Sequence, residues 1–102
     1  MDAELTGRQK RFLRGLGQTL RPAASVGKEG LSDGVVGNVK ALLAAMELVK
    51  VRIPAGDGKG RQQMGQDLAA ATGSTCLAVI GRTVLLYRAN MDLPPNKRAP
   101  LE

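Results

Sequence analysis

Histidine and tryptophan are missing from this chain, phenylalanine and tyrosine occur once each, and one cysteine is present among 102 residues. Each scarcity removes a class of function. Without histidine the chain lacks the usual general base of neutral-pH catalysis and the commonest metal ligand. A single cysteine cannot form an internal disulfide, and a thiolate metal site of the usual kind needs several. Surfaces that read single strands by stacking successive bases use several aromatic rings, and two rings weigh against that mode. No apolar run approaches the roughly 18 residues of a membrane span. Charges and glycines stand near the N-terminus where a secretory leader would be apolar. These gaps point to a cytoplasmic protein in a reducing compartment, with no membrane association, no metal and no cofactor.

What the chain has in excess is positive charge. Lysine and arginine outnumber acids 15 to 9, for a net charge of +6. Such an excess points to a polyanionic partner, with nucleic acid first and an anionic membrane surface behind it. The length is that of one domain able to bury a core without staples, and a monomer is the expectation.

Periodicity orders the elements. Thr6 caps a helix from about Gly7 to Leu16, with Phe12, Leu13, Leu16 and Leu20 on one side, Lys10, Arg11 and Arg14 opposite, and Arg8 at the border. Arg21-Pro22 closes that region, and Ala23 to Val26 reads as a short strand. Ser32 or Asp33 caps a core helix reaching Met46, its stripe formed by Val35, Val36, Val39, Leu42, Leu43 and Met46. Glu47 to Ile53 changes to period two, Val49, Val51 and Ile53 pointing one way and Lys50 and Arg52 the other. After a loop from Pro54 to Gly60 comes a third helix to Thr72, with Met64, Leu68 and Ala71 inward and Gly73 as its stop. Thr75 to Ile80 is a continuous apolar run, read as a central strand with Cys76 as a small buried hydrophobe. Gly81-Arg82 turns it into a returning strand, Thr83 to Arg88. The domain is placed at residues 1–90, and residues 91–102, rich in proline and charge, are expected to form a loosely ordered tail. The order α-β-α-β-α-β-β implies one compact α/β domain with an open mixed sheet covered by helices.

Between the first strand and the core helix lies Val26-Gly27-Lys28-Glu29-Gly30-Leu31. Glycine at both ends permits φ > 0 and close approach of a ligand backbone. The capped helix that follows puts unpaired N–H groups and the positive end of its dipole beside the turn, and Lys28 adds a charge. The arrangement suits an anion. It is neither a P-loop, which needs G-x-x-x-x-G-K-[ST], nor a dinucleotide fingerprint, and no carboxylate pair is set by a motif for acid–base work. A binding protein without catalysis or a small-molecule substrate is the reading that remains.

Five segments in order resemble a known family: Leu5-Thr6 with Gln9-Lys10 and Leu13, then Arg21-Pro22, then Val26 to Ser32, then Glu47-Leu48-Val49-Lys50-Val51, and finally Ile80 to Arg88. Together they resemble the CRM (chloroplast RNA splicing and ribosome maturation) domain in its stand-alone bacterial YhbY-like form, over about residues 4 to 90. The resemblance implies a four-stranded mixed sheet with helices, similar to the C-terminal domain of the third translation initiation factor. It also implies a KH-like G-x-x-G loop, here Gly27-Lys28-Glu29-Gly30, and binding to RNA of large-ribosomal-subunit precursors. The neighbouring contact surface would be Arg8, Lys10, Arg11 and Arg14, with Lys50, Arg52, Arg82 and Arg88 as further candidates. The chain departs from the family in having Met46 and Gly17-Gln18 where many members have histidine or Ala-His. Glu29, a carboxylate inside the loop, is expected to point outward. A competing reading is a protein-docking module on the ribosome whose basic surface complements an acidic partner without touching RNA.

Overall fold

The computed structural model describes residues 5–101; residues 1–4 and Glu102, at the two ends of the segments assigned above, lie outside them. The elements are α1 (Gly7–Gly17), β1 (Ala24–Ser25), α2 (Asp33–Met46), β2 (Leu48–Arg52), α3 (Gly58–Thr72), β3 (Thr75–Ile80), β4 (Thr83–Tyr87) and a single 3-10 turn, Pro95–Lys97. The order of helices and strands is the one that periodicity predicts. The four strands form one sheet in the order β1-β2-β4-β3, with β1 parallel to β2 and the other pairs antiparallel. No helix among the described residues is long and apolar enough to cross a membrane.

Strand alternation divides the sheet between two cores. Val49 and Val51 of β2, Ile53 just after it, and Val84 and Leu86 of β4 meet Val39 and Leu43 of α2 and Leu68 and Ala69 of α3. On the opposite face Leu85 and Tyr87 of β4 and Leu77 of β3 meet Leu13 of α1, with Leu16, Ala99 and Leu101 packed against them. β4 is therefore covered on both sides. That corrects the central placement of β3, which is an edge strand. Its continuous apolar run has another cause: the register skips between Cys76 and Ala78. The resulting bulge turns both Leu77 and Ala78 toward the α1 face. Cys76 is half-buried, packed beside α3, and desolvation holds its thiol pKa above the usual value.

The helices pack along narrower lines than the sequence stripes suggest. In α1, Leu13 and Gly17 are buried, whereas Phe12, and Leu20 beyond the end of the helix, are each 38% exposed. The reason is Gly17: a Cβ there would stand 2.5 Å from Leu85 Cδ2, so α1 approaches β4 along the Leu13–Gly17 line. Phe12, about 100° around the helix from Leu13, falls outside that line. In α3 the buried positions are Gly65, Leu68, Ala69 and Thr72, and Ala71 is exposed rather than inward. In α2 the stripe holds through Leu43, and Met46 turns out to solvent.

At the end of α2 the chain is held by a residue that the sequence presents as an ordinary charged one. Glu47 has φ 62° and is fully buried. Its N–H donates to the Leu43 carbonyl (2.9 Å), and its own carbonyl accepts from Arg88 N–H (2.9 Å). Carboxylate Oε2 accepts from Asn90 N–H (2.6 Å) and Arg98 Nε (3.1 Å), and Oε1 accepts from Ala99 N–H (2.7 Å). The hydrogen bond to Glu47 raises the Arg98 pKa above its ordinary value, with the Tyr87 hydroxyl as a further partner, so the guanidinium stays charged. Asn90 also donates from Nδ2 to the Ala44 carbonyl (2.7 Å). The segment expected to be a loose tail is thus anchored at Arg98 and Ala99, with Asn90 fixed just before it, and it covers the sheet with Ala99 and Leu101.

Stability measurements on two residues check these contacts. Glu47→Ala leaves buried donors unpaired and is expected to cost about 3 kcal/mol in urea unfolding. Glu47→Gly, which relieves the positive φ, should cost about 1 kcal/mol less. Gly17→Ala is expected to cost about 1–3 kcal/mol through overpacking against Leu85. Part of that loss should be recovered in the Gly17→Ala, Leu85→Val double variant.

Candidate nucleic-acid interface

The turn after β1 has the conformation that its glycines permit, each for a different reason. Gly30 N–H donates to the Gly27 carbonyl (3.0 Å), closing a β-turn with Gly30 at φ +78°. Gly27 does not take a positive φ. Instead, a Cβ on it would lie 2.6 Å from Glu29 Oε1, so the Glu29 side chain folds back across the turn and does not point outward. Ser32, not Asp33, is the N-cap of α2: its hydroxyl oxygen accepts from Val35 N–H (3.2 Å).

Parallel pairing of β1 with β2 gathers further groups at this end of the sheet. Both strands run toward it, so the helices that follow them, α2 and α3, begin there with their unpaired N–H groups. Val26 N–H donates to the Arg52 carbonyl and Ile53 N–H to the Arg82 carbonyl, each at 2.8 Å, stitching the turn's strand, the end of β2 and the β3–β4 hairpin side by side. Lys28, Arg52 and Arg82 therefore share one end of the molecule. Lys59 and Arg61, absent from the sequence-derived site, join them in the first turns of α3. Asp57 caps this helix, its Oδ1 accepting from Gly60 N–H (2.7 Å), and Arg61 Nη1 donates to the Gly56 carbonyl. Lys59, Gln62, Gln63 and Gln66 line an open depression of about 700 Å³. The glycines of Gly56-Asp57-Gly58-Lys59-Gly60 read as loop; Asp57 three residues before Gly60 is the capping signal that could have revealed the helix start.

One row of the sheet continues this surface. Ser25, Arg52, Thr83 and Ile80 are successive cross-strand partners and point to the face that carries α1. Ser25, Arg52 and Ile80 are exposed and Thr83 is half-buried. The open part of the sheet is thus on the Arg52 side.

The remaining candidates divide. Arg8 and Arg11 lie on the exposed surface of α1. Lys10 is half-buried at its flank. Arg14 supports the fold, since its Nε donates to the carbonyl of Leu77, the bulge residue without a ladder partner, at 2.8 Å. Lys50 Nζ donates to the Leu20 carbonyl (3.2 Å) and ties the α1–β1 link to β2. Arg88 stands at the opposite end of the sheet, its Nη1 donating to the Thr72 carbonyl (3.4 Å) at the end of α3. It does not join the group around Lys28.

With this geometry in place, the whole-chain comparisons are decisive. Residues 5–88 match the CRS1/YhbY (CRM) domain. The chain belongs to that family. Among CRM relatives, the chain is 33% identical over 88 residues to the Bacillus subtilis protein YqeI, named a probable RNA-binding protein, covering 86% of this chain and 92% of YqeI. An RNA-binding protein of Haemophilus influenzae is 32% identical over 94 residues, 88% of this chain and 95% of the relative. The solution structure of a hypothetical protein from Staphylococcus aureus superposes with a TM-score of 0.78 at 30% identity, over 87% of this chain and 93% of that one. These relatives are stand-alone bacterial proteins, and the family and relative names are those of RNA-binding proteins, not of enzymes.

The two arginines of α1 separate in a denaturation experiment. Arg14→Ala is expected to lower stability by about 1 kcal/mol, because the Leu77 carbonyl loses its donor. Arg11→Ala should stay within about 0.5 kcal/mol of wild type, as surface substitutions do.

Proposed function

We propose that this CRM-domain chain is a non-catalytic RNA-binding protein that holds the phosphate backbone at the end of its sheet where β1 and β2 finish. One observation carries the reading: the Gly27–Gly30 turn, the N-termini of α2 and α3, and the cations Lys28, Arg52, Lys59 and Arg82 converge there. Backbone N–H groups at helix starts are anion sites, and open α/β sheets take ligands beyond the carboxyl ends of their strands. Each phosphate neutralised releases condensed counterions, so such a surface binds through charge and shape, with modest sequence preference. Arg8 and Arg11 extend it along α1. Acids are present at this end, Asp57 engaged as a helix cap and Glu29 folded over Gly27, but Lys28, Arg52, Lys59, Arg61 and Arg82 outnumber Glu29, Asp33 and Asp57 there.

The target class rests on the family resemblance: ribosomal RNA of large-subunit precursors, met by a monomer in the cytoplasm. The test is fluorescence anisotropy with a large-subunit ribosomal RNA fragment across a salt series. Wild type is expected to show a log–log slope of about −3 to −5, corresponding to about five phosphates. Lys28→Ala and Lys59→Ala should each weaken binding and make the slope shallower by about 1. Arg88→Ala should match wild type. A salt-independent affinity, or equal losses at Arg88 and Lys28, would contradict the site. Protein that ignores RNA at physiological salt yet sediments with large-subunit precursors would favour the docking reading.

A further inference from the structure

The lone phenylalanine keeps part of its ring open to solvent. Phe12 is 38% exposed on α1 and belongs to neither of the two buried clusters. Arg8 precedes it by one helical turn and Arg11 is its neighbour, so the ring stands among cations that the proposed function assigns to phosphates. Side chains on a helix lean toward its N-terminus, so the residues three and four positions on flank Phe12. The fourth is Leu16, half-buried against the core on the α1 side; the third is Gly15, where a Cβ would meet nothing within 4 Å. Gly17 is required by its approach to Leu85; no packing contact requires Gly15. A helix-weakening residue thus stands one turn from the ring with no packing contact to explain it.

We propose that Phe12 is a stacking platform for one unpaired base of the bound RNA, with Arg8 and Arg11 holding the flanking phosphates. The inference rests on the RNA-binding reading and adds its substrate class: a single-stranded or bulged nucleotide beside the backbone contacts. A single exposed ring suffices for this, because every base offers a π face. Charge complementarity selects RNA as the occupant, since a partly exposed apolar ring flanked in sequence by two arginines suits a base carried between phosphates.

The chain contains no tryptophan, so Phe12→Trp makes a one-tryptophan reporter at the site. Its fluorescence is expected to be quenched on saturation with a single-stranded RNA oligonucleotide and to change little with a blunt duplex of equal length. Phe12→Leu keeps an apolar side chain and removes the ring; it should weaken single-strand binding about fivefold or more and leave duplex binding unchanged. Gly15→Leu should raise the urea midpoint while weakening single-strand binding, a combination that a purely structural role for Phe12 would not produce. Unquenched Phe12→Trp at saturation, or Phe12→Leu that binds single strands as wild type does, overturns the stacking role and leaves phosphate binding standing. Wild type that binds neither RNA form overturns both.

Discussion

The parallel pairing of β1 with β2 is the constraint on which the proposed RNA-binding surface depends. β1 itself has two residues, but Ala23 N–H to the Lys50 carbonyl and Val26 N–H to the Arg52 carbonyl, both 2.8 Å, extend its hold on β2 at either side. Parallel neighbours need a crossover, and α2 is that crossover. The turn that enters α2 and the loop that enters α3 must therefore lie at the same end of the sheet. Antiparallel β4 brings the Arg82 hairpin to that end as well. The charge cluster follows from strand direction.

The opposite end carries the stabilising contacts. Glu47 joins the end of α2 and the residue after β4 through its backbone N–H and carbonyl, and the C-terminal segment through its buried carboxylate. A left-handed φ at a non-glycine residue costs of order 1–3 kcal/mol and persists only where its surroundings over-determine it. Here Asn90, Arg98 and Ala99 supply that surrounding. Because the anchor and the cations occupy different ends, Lys28, Arg52, Lys59 and Arg82 need not serve the fold. Other basic residues do serve it: Arg14 satisfies the bulge at Leu77, Lys50 bonds the Leu20 carbonyl and Arg61 the Gly56 carbonyl.

Element order was legible because the signals are local. Thr6 with Gln9 forms a capping box, Ser32 caps α2, and Gly73 ends α3 in the left-handed conformation. The Gly27–Gly30 turn, Lys28, Arg52 and Arg82 were legible in the same way, as residues beside recognisable strand ends. What stayed hidden depends on tertiary contacts. A continuous apolar run such as Thr75–Ile80 has the same periodicity whether two faces are buried or a bulge rotates it. Nothing in the composition of residues 91–101 shows that a buried carboxylate waits for Arg98 and Ala99. The start of α3 was masked by glycines whose helix-breaking tendency Asp57 overrides by capping, and Lys59 and Arg61 went with it. Arg88 looked equivalent to Arg82, although the two ends of one strand face opposite ends of the molecule.

The central claim is that RNA meets the end of the sheet where β1 and β2 finish, together with the outer face of α1. The most direct measurement is a two-dimensional amide NMR titration of the intact chain with a large-subunit ribosomal RNA fragment. The largest shift changes are expected at Gly27 to Gly30, Arg52, Lys59, Arg82 and the Arg8–Arg11 stretch, with Gly73, Arg88 and Asn90 nearly unmoved. Changes centred on Gly73, Arg88 and Asn90, with the Gly27–Gly30 turn silent, would contradict it.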